Sequence, residues 1–224
     1  MCRRFSMAAE LPELQEHFQI ERVMFYYRNR YNISPTQNIP VVLQQNGERI
    51  LDEFRWGFIP YWGKDAVNAD LRNVHQNKTY RRMVEKQRCV IPCNGLYYWK
   101  QDGKKTYPVR VVMKDRSMFG VAGLFEIWQD TRGEPLRTCT LVMTEANPLI
   151  DEFESRMPAI LSQEDMALWL DESTNDLELL NPILRPHSAE EMDAYAVTPL
   201  IDNNRHDTSE CIEEIDLRQA WVKR

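Results

Sequence analysis

The chain has no apolar run approaching the ~18 residues that a membrane-crossing helix requires, so nothing in it is predicted to span a bilayer. Its amino-terminal stretch is basic but lacks the apolar segment of a secretory signal. The expectation is a cytoplasmic protein with no membrane attachment. Repeats, low-complexity tracts and long Gly/Ser linkers are missing as well. Five cysteines, an odd number at irregular spacing, argue against a disulfide framework. Cys89 and Cys93 form a C-x3-C pair, but no second pair follows. The four histidines, His17, His75, His187 and His206, have no ligand-like spacing. No metal and no cofactor are therefore predicted. A net charge of −6 gives no bulk electrostatic reason to bind nucleic acid.

What is present fits one soluble domain spanning 1–224. At 224 residues, with 43% apolar and 28% charged residues, the composition is ordinary for a globular chain. Charge is unevenly placed. Arg3-Arg4, Arg28 and Arg30, Arg81-Arg82, Lys86 with Arg88, and Lys104-Lys105 all fall before residue 110, and 145–216 is acidic. This pattern allows a local basic groove on an acidic protein.

Apolar periodicity predicts a short helix within 8–19 and strands at 39–43 and 52–58, with Asn46-Gly47 as the hairpin turn between them. Residues 76–86 read as a helix. Cys89–Pro92, Gly95–Lys100, Tyr107–Met113, Met118–Trp128 and Leu136–Met143 read as strands. Ser162–Leu170 is a helix with Ser162 as N-cap and Asp165 three residues on. Helical pattern returns near 174–184 and 188–193. Mostly antiparallel strands with peripheral helices give an α+β class.

Cys2 is the most informative residue. Once Met1 is removed, it carries an α-amine, titrating near pH ~8, and a thiol near ~8.5. An aldehyde meeting that pair forms an imine at the amine, and the thiol then closes a five-membered thiazolidine. An internal cysteine has no such neighbour. A hydrolase chemistry built on Cys89 or Cys93 lacks a paired base.

Met1-Cys2-Arg3-Arg4-Phe5, Tyr31-Asn32-Ile33-Ser34-Pro35 and Trp56 to Trp62 follow one another along the chain. Asn68-Ala69-Asp70-Leu71-Arg72, Cys89 to Pro92 and Gly95 to Lys100 come next. Ala122 to Trp128 and Glu154 to Leu161 complete the series. In this order they resemble the SOS-response-associated peptidase family, also called abasic-site processing proteins, over residues 1 to about 200, leaving 201–224 as a tail. The resemblance implies a barrel-like β core. It implies a protein that binds single-stranded DNA at abasic sites, removes its own Met1, and forms a thiazolidine-linked crosslink through Cys2; a monomer is expected.

The departures fall on the chemistry. The family glutamate of Gly-x-Tyr-Glu-Trp is Tyr98 here, and the family histidine of His-Asp-Arg-Met-Pro is Glu154. The arginine after Asn-Ala is Asp70, the glutamate beyond it is Arg72, and the glycine after the cysteine is Arg3. By the resemblance Cys2, Asn68, Glu154 and Tyr98 are the candidate catalytic residues. Arg3, Arg4, Trp56, Trp62, Arg81 and Arg156 are the candidate DNA contacts. Tyr98 is a poor base at neutral pH, and Glu154 or His75 stands in for the missing proton shuttle. Arg3 is expected to lower the Cys2 pKa values. Asp70 and Arg72 are expected to keep a salt bridge of reversed polarity. Trp99 and Trp128 read as core more readily than Trp56. A catalytically degenerate member that binds DNA or a partner without covalent chemistry is the alternative reading.

Overall fold

Ile39 to Leu43 is an unbroken apolar segment, and every one of its residues is buried. A strand buried on both faces needs neighbours on both edges, and the fold supplies them. The structure, a computed structural model, describes residues 2–58, 66–71, 78–129 and 132–216. In chain order the elements are β1 (Phe5–Met7), α1 (Leu11–Phe18), β2 (Arg22–Val23), β3 (Arg30–Ile33), β4 (Asn38–Gln45) and β5 (Glu48–Trp56). Next come β6 (Asn68–Asp70), α2 (Lys78–Lys86), β7 (Arg88–Cys93), β8 (Gly95–Asp102), β9 (Lys105–Met113), β10 (Phe119–Gln129) and β11 (Pro135–Glu145). The chain continues through β12 (Arg156–Pro158), β13 (Ile160–Leu161), α3 (Gln163–Leu170), α4 (Leu177–Leu180) and β14 (Met192–Ala196).

Strands β11, β10, β7, β4 and β5 are hydrogen-bonded in that order, and β5 returns to β11 in parallel at Cys139↔Trp56. The ring closes into a five-stranded barrel, which leaves those strands without open edges. The β4–β5 hairpin turns on Asn46 and Gly47 at φ +53° and +86°. Positive φ at both positions is the requirement of the tight hairpin turn that Asn-Gly favours. A second sheet, in the order β14-β9-β8-β1-β3, packs with it around a shared core. The expectation of a mostly antiparallel α+β fold with a barrel-like core is met.

Helix α3 begins as predicted, with Ser162 Oγ accepting the Asp165 N–H at 3.1 Å. The region 188–193 differs from the sequence reading. Ser188 caps a single 3-10 turn, Ala189–Glu191, and the chain then becomes β14, pairing Met192↔Met113 through Ala196↔Val109. Sheet-edge pairing overrides a weak local helical pattern there. The helical signal at 174–184 resolves into α4 and a 3-10 turn, Asn181–Ile183, with Pro182 at its start. No helix among the described residues is long and apolar enough to cross a membrane.

Two arginines, Arg88 of the sequence's basic clusters and Arg110, are interior struts. The Arg88 guanidinium donates to the carbonyls of Trp169, Val84, Asp171 and Thr174, joining α2, β7 and the end of α3. Arg110 donates to Ser6 Oγ, the Asn94 carbonyl and Tyr195 OH. Both are buried.

Two features of this frame position the candidate site. Strand β1 lies between β3 and β8, with Phe5 opposite Ile33 on one side and Leu96 on the other. Just before it, Cys2 and Arg4 are buried and Arg3 between them is exposed. Strand β6 lies parallel to β11, and β12 occupies the opposite edge of β11, so Met143 faces Asp70 on one side and Pro158 on the other.

Candidate active site around Cys2

The chain before β1 is fixed at Arg4, whose carbonyl accepts the Tyr97 N–H at 3.0 Å. Two residues earlier, Cys2 is buried, at 1% exposure. Its Sγ lies 3.8 Å from the Arg4 carbonyl. Its own carbonyl accepts a hydrogen bond from Asn68 Nδ2 at 2.8 Å. Asn68 opens β6, and its Oδ1 is buried with no hydrogen-bond partner among the described residues. Tyr98, on β8, is 2% exposed and stacks on Phe153, with ring centroids 5.8 Å apart at 23°. Its hydroxyl is likewise buried and unpartnered among the described residues. Buried polar atoms are nearly always satisfied in native proteins. Asn68 and Tyr98 each carry one such unmet atom.

Electrostatics tie the group together. Burial pushes the Cys2 thiol up to about 12, and the charge of Glu154 adds to the rise. This corrects the expectation that Arg3 would lower it: Arg3 is exposed, and loss of water around the sulfur dominates. Burial also raises the Tyr98 phenol well above its usual value, with the charges of Cys2, Glu154 and Cys93 acting in the same direction. Glu154 follows Phe153 at the end of a 3-10 turn and is exposed, its N–H bonded to the Ile150 carbonyl. Cys2, Asn68, Tyr98 and Glu154, scattered over the sequence, thus come together.

The candidate DNA contacts are distributed otherwise. Arg4 is buried; Nη1 donates to Asn32 Oδ1 at 2.6 Å and Nη2 to Asn204 Oδ1 at 2.8 Å. Its guanidinium also lies 5.9 Å from the centre of the Trp99 ring. These partners engage both terminal nitrogens, while Nε is buried with no hydrogen-bond partner among the described residues. Trp56 is wholly buried, edge-on to Phe5 at 5.1 Å, with its Nε1 donating to the Val67 carbonyl at 2.8 Å. It presents no face to a base. Trp128 is 40% exposed, so the order expected for these two tryptophans is reversed. The cause is position: Trp56 ends β5 where the barrel closes, whereas Trp128 stands opposite Leu136 near the tip of the β10–β11 hairpin. Arg81 is exposed on α2 and pairs with Glu85 at 3.1 Å. Arg156 Nη2 donates to the Met143 carbonyl and to Asp70 Oδ1, each at 3.0 Å. Met1, Trp62, Arg72 and His75 lie outside the described residues.

Sequence reasoning missed three participants. Phe153 supplies the ring under Tyr98. Asp70 reaches Arg156 across β11, a pairing that strand order creates and linear spacing hides. Asn32, in the Tyr-Asn-x-x-Pro segment, is a hub: its Nδ2 donates to the carbonyls of Ile201, Asn203 and His206. The advance signals were the places of Asn32 and Asp70 in recognisable motifs; the Asp70–Arg156 pairing had none.

Among the described residues no three His, Cys, Asp or Glu side chains converge as a metal site. A cavity of about 550 Å³, lined by His17, Met113, Phe119, Met166 and His187, has none of the four site residues in its wall.

Residues 1–204 match the family described as SOS response associated peptidase (SRAP). The abasic site processing protein YoqW of Bacillus subtilis is 34% identical over 222 residues, covering 95% of this chain and 99% of that protein. The abasic site processing protein HMCES of Gallus gallus is 27% identical over 229 residues, covering 85% of this chain and 68% of that one. A crystal structure of a Bacteroides thetaiotaomicron protein superposes with a TM-score of 0.83 at 23% identity, covering 96% of this chain and all of that one. That likeness extends the fold, and the sequence match carries the assignment: the chain belongs to the SOS response associated peptidase family.

Proposed function

We propose that the protein processes abasic sites in single-stranded DNA by a covalent reaction at Cys2, as a monomer in the cytoplasm. Hydrolysis of the Met1–Cys2 peptide bond consumes one water and frees the α-amine. The amine adds to the C1 aldehyde of the ring-opened sugar, and loss of water gives the imine. The Cys2 sulfur then bonds to that carbon while its proton passes to the nitrogen, and the thiazolidine is complete. The nucleophile that acts first is the amine, because the thiazolidine ring closes by addition of the sulfur to the imine carbon.

The observation that carries this reading is the grip of Asn68 on Cys2: Nδ2 holds the cysteine carbonyl at 2.8 Å, and Oδ1 is buried and unmet beside it. A freed ammonium or a sugar hydroxyl is a donor of the kind Oδ1 requires. Tyr98 supplies a neutral hydroxyl, which donates and accepts but does not act as a base at pH 7. Glu154 is the carboxylate whose charge reaches both Cys2 and Tyr98, and it takes the role of proton carrier. The names of the relatives support abasic DNA as the substrate.

The replacement of the family glutamate by Tyr98 favours a second reading, a member that binds the lesion without closing the covalent bond. One experiment separates them. Intact-mass measurement of the purified protein reports whether Met1 is gone. Incubation with an aldehyde-bearing abasic oligonucleotide then yields a species at the summed mass less one water, with Cys2→Ala as control. Absence of that species from a protein lacking Met1 leaves the binding reading.

A further inference from the structure

We infer that Asp70 is a built-in substitute for a DNA phosphate on Arg156, and that it sets how tightly the site holds a single strand before any covalent step. The inference rests on the reading that DNA passes this site. Asn68 and Asp70 are alternate residues of β6, so their side chains leave the same face of the strand. Ala69 between them is fully buried. Two residues of strand cover about 6.6 Å, which puts the Asp70 carboxylate close to one nucleotide's length from the residue that grips Cys2. Arg156 arrives from β12, across the far edge of β11. Its Nη2 is bonded to the Met143 carbonyl and to Asp70, each at 3.0 Å.

A guanidinium binds carboxylate and phosphate oxygens by the same charge-assisted geometry. The two therefore compete for Arg156. Its side chain is 13% exposed, whereas that of Asp70 is 40% exposed. The arginine is the more buried partner and the aspartate the more exposed one. A pair open to solvent on one side is weak, so a phosphate displaces it readily once other contacts hold the strand. Until then Asp70 occupies Nη2 of the cation and repels the backbone.

The test uses the full-length protein and a fluorescein-labelled single strand carrying one tetrahydrofuran residue. That abasic analogue has no aldehyde, so anisotropy reads affinity alone. Asp70→Asn is expected to tighten binding three- to tenfold. It is also expected to steepen the dependence of log K on log salt between 50 and 200 mM KCl by about 0.7, the value for one added phosphate contact on a single strand. In the Asp70→Asn, Arg156→Gln double variant the gain is expected to vanish. Glu164→Gln, a change of exposed charge elsewhere, is expected to give none of it. Asparagine keeps the shape of aspartate, and the melting temperature is expected to hold within about 2 °C. Unchanged or weaker binding by Asp70→Asn, a gain that survives loss of Arg156, or no binding by either protein at 50 mM KCl overturns the inference. Adduct formation on aldehyde-bearing DNA is scored separately. If adducts form but Asp70→Asn binds no tighter, this inference falls alone. If the gain appears without adducts, the covalent reading falls alone.

Discussion

Replacing Tyr98 by phenylalanine should make the protein more stable and less competent at once. The hydroxyl is buried, at 2% residue exposure, with no partner among the described residues. A buried, unsatisfied polar group costs about 1–3 kcal/mol. Phenylalanine deletes that group and keeps the ring that stacks on Phe153 at 5.8 Å. Taking the lower end, the gain is about 1 kcal/mol, or about 2–4 °C in Tm for a chain of this size. On the chemical side, a hydroxyl that positions a proton in sugar opening contributes on the order of 10²-fold. Tyr98→Phe should therefore slow single-turnover adduct formation by about that factor.

The assays are thermal melting of the variant beside the parent and gel quantification of adduct against time. The pH profile adds a third readout. The phenol is raised well above its usual value by burial and by the charges of Cys2, Glu154 and Cys93. The adduct rate should accordingly show no limb from Tyr98 below about pH 9. A variant that melts 2 °C or more below the parent would refute the reasoning, since the hydroxyl would then have a partner worth keeping. A more stable variant with unchanged rate would reduce Tyr98 to a packing residue.

Asn68→Ala removes the 2.8 Å bond to the Cys2 carbonyl; it should cost about 1 kcal/mol of stability and at least tenfold in adduct rate, read in the same two assays. Trp56→Ala should cost about 3–5 kcal/mol by urea unfolding, because the ring is fully buried against Phe5. Trp128→Ala should cost much less, and equal effects would contradict the placement of the two rings. Stability should also fall in alkali. The folded-state pKa of Cys2 is about 12 against a usual 9.0, so above pH 9 the unfolded chain loses the proton first and unfolding is favoured. The contribution is intact below pH 9 and drains away up to about pH 12, with a slope of about 1.4 kcal/mol per pH unit for one such thiol. Urea melts at pH 7.5 and 10 measure it, and Cys2→Ser should reduce the slope by one group's share.

Much of the fold was legible because strand signals here are local. Asn46-Gly47 fixes one hairpin by backbone conformation, and the run from Ile39 to Leu43 suits a strand buried on both sides. The parallel return of β5 to β11 and the conversion of 192–196 into an edge strand were not legible, since both depend on partners distant in sequence. In the site, Cys2 and Asn68 were readable from chemistry and motif. The role of charge was not. Arg4 and Arg88 look identical in sequence to surface cations, yet each is buried and bonded to chain groups brought in by other elements. A basic cluster counted along the sequence overstates the cations left for DNA. Asp70 illustrates the same point with opposite sign: its expected partner Arg72 lies outside the described residues, and the fold also delivers Arg156 to it across a strand.

The replaced residues are best understood as a coupled set. Glu154 lies close enough to Cys2 and Tyr98 for its charge to act on both. A glutamate at 98, as the family pattern has it, would place a second carboxylate against the same buried sulfur. Two like charges in a low-dielectric pocket oppose each other, and one would remain protonated at neutral pH. An acid at 154 is thus compatible with a neutral hydroxyl at 98, and a histidine at 154 with an acid at 98. Tyr98→Glu alone should lower both Tm and adduct rate. Tyr98→Glu combined with Glu154→His should recover much of the loss, by at least tenfold in rate over the single change. The double-mutant cycle measures the coupling directly. Additive effects would mean that the two positions diverged independently and that Glu154 does not share the proton-handling site with residue 98.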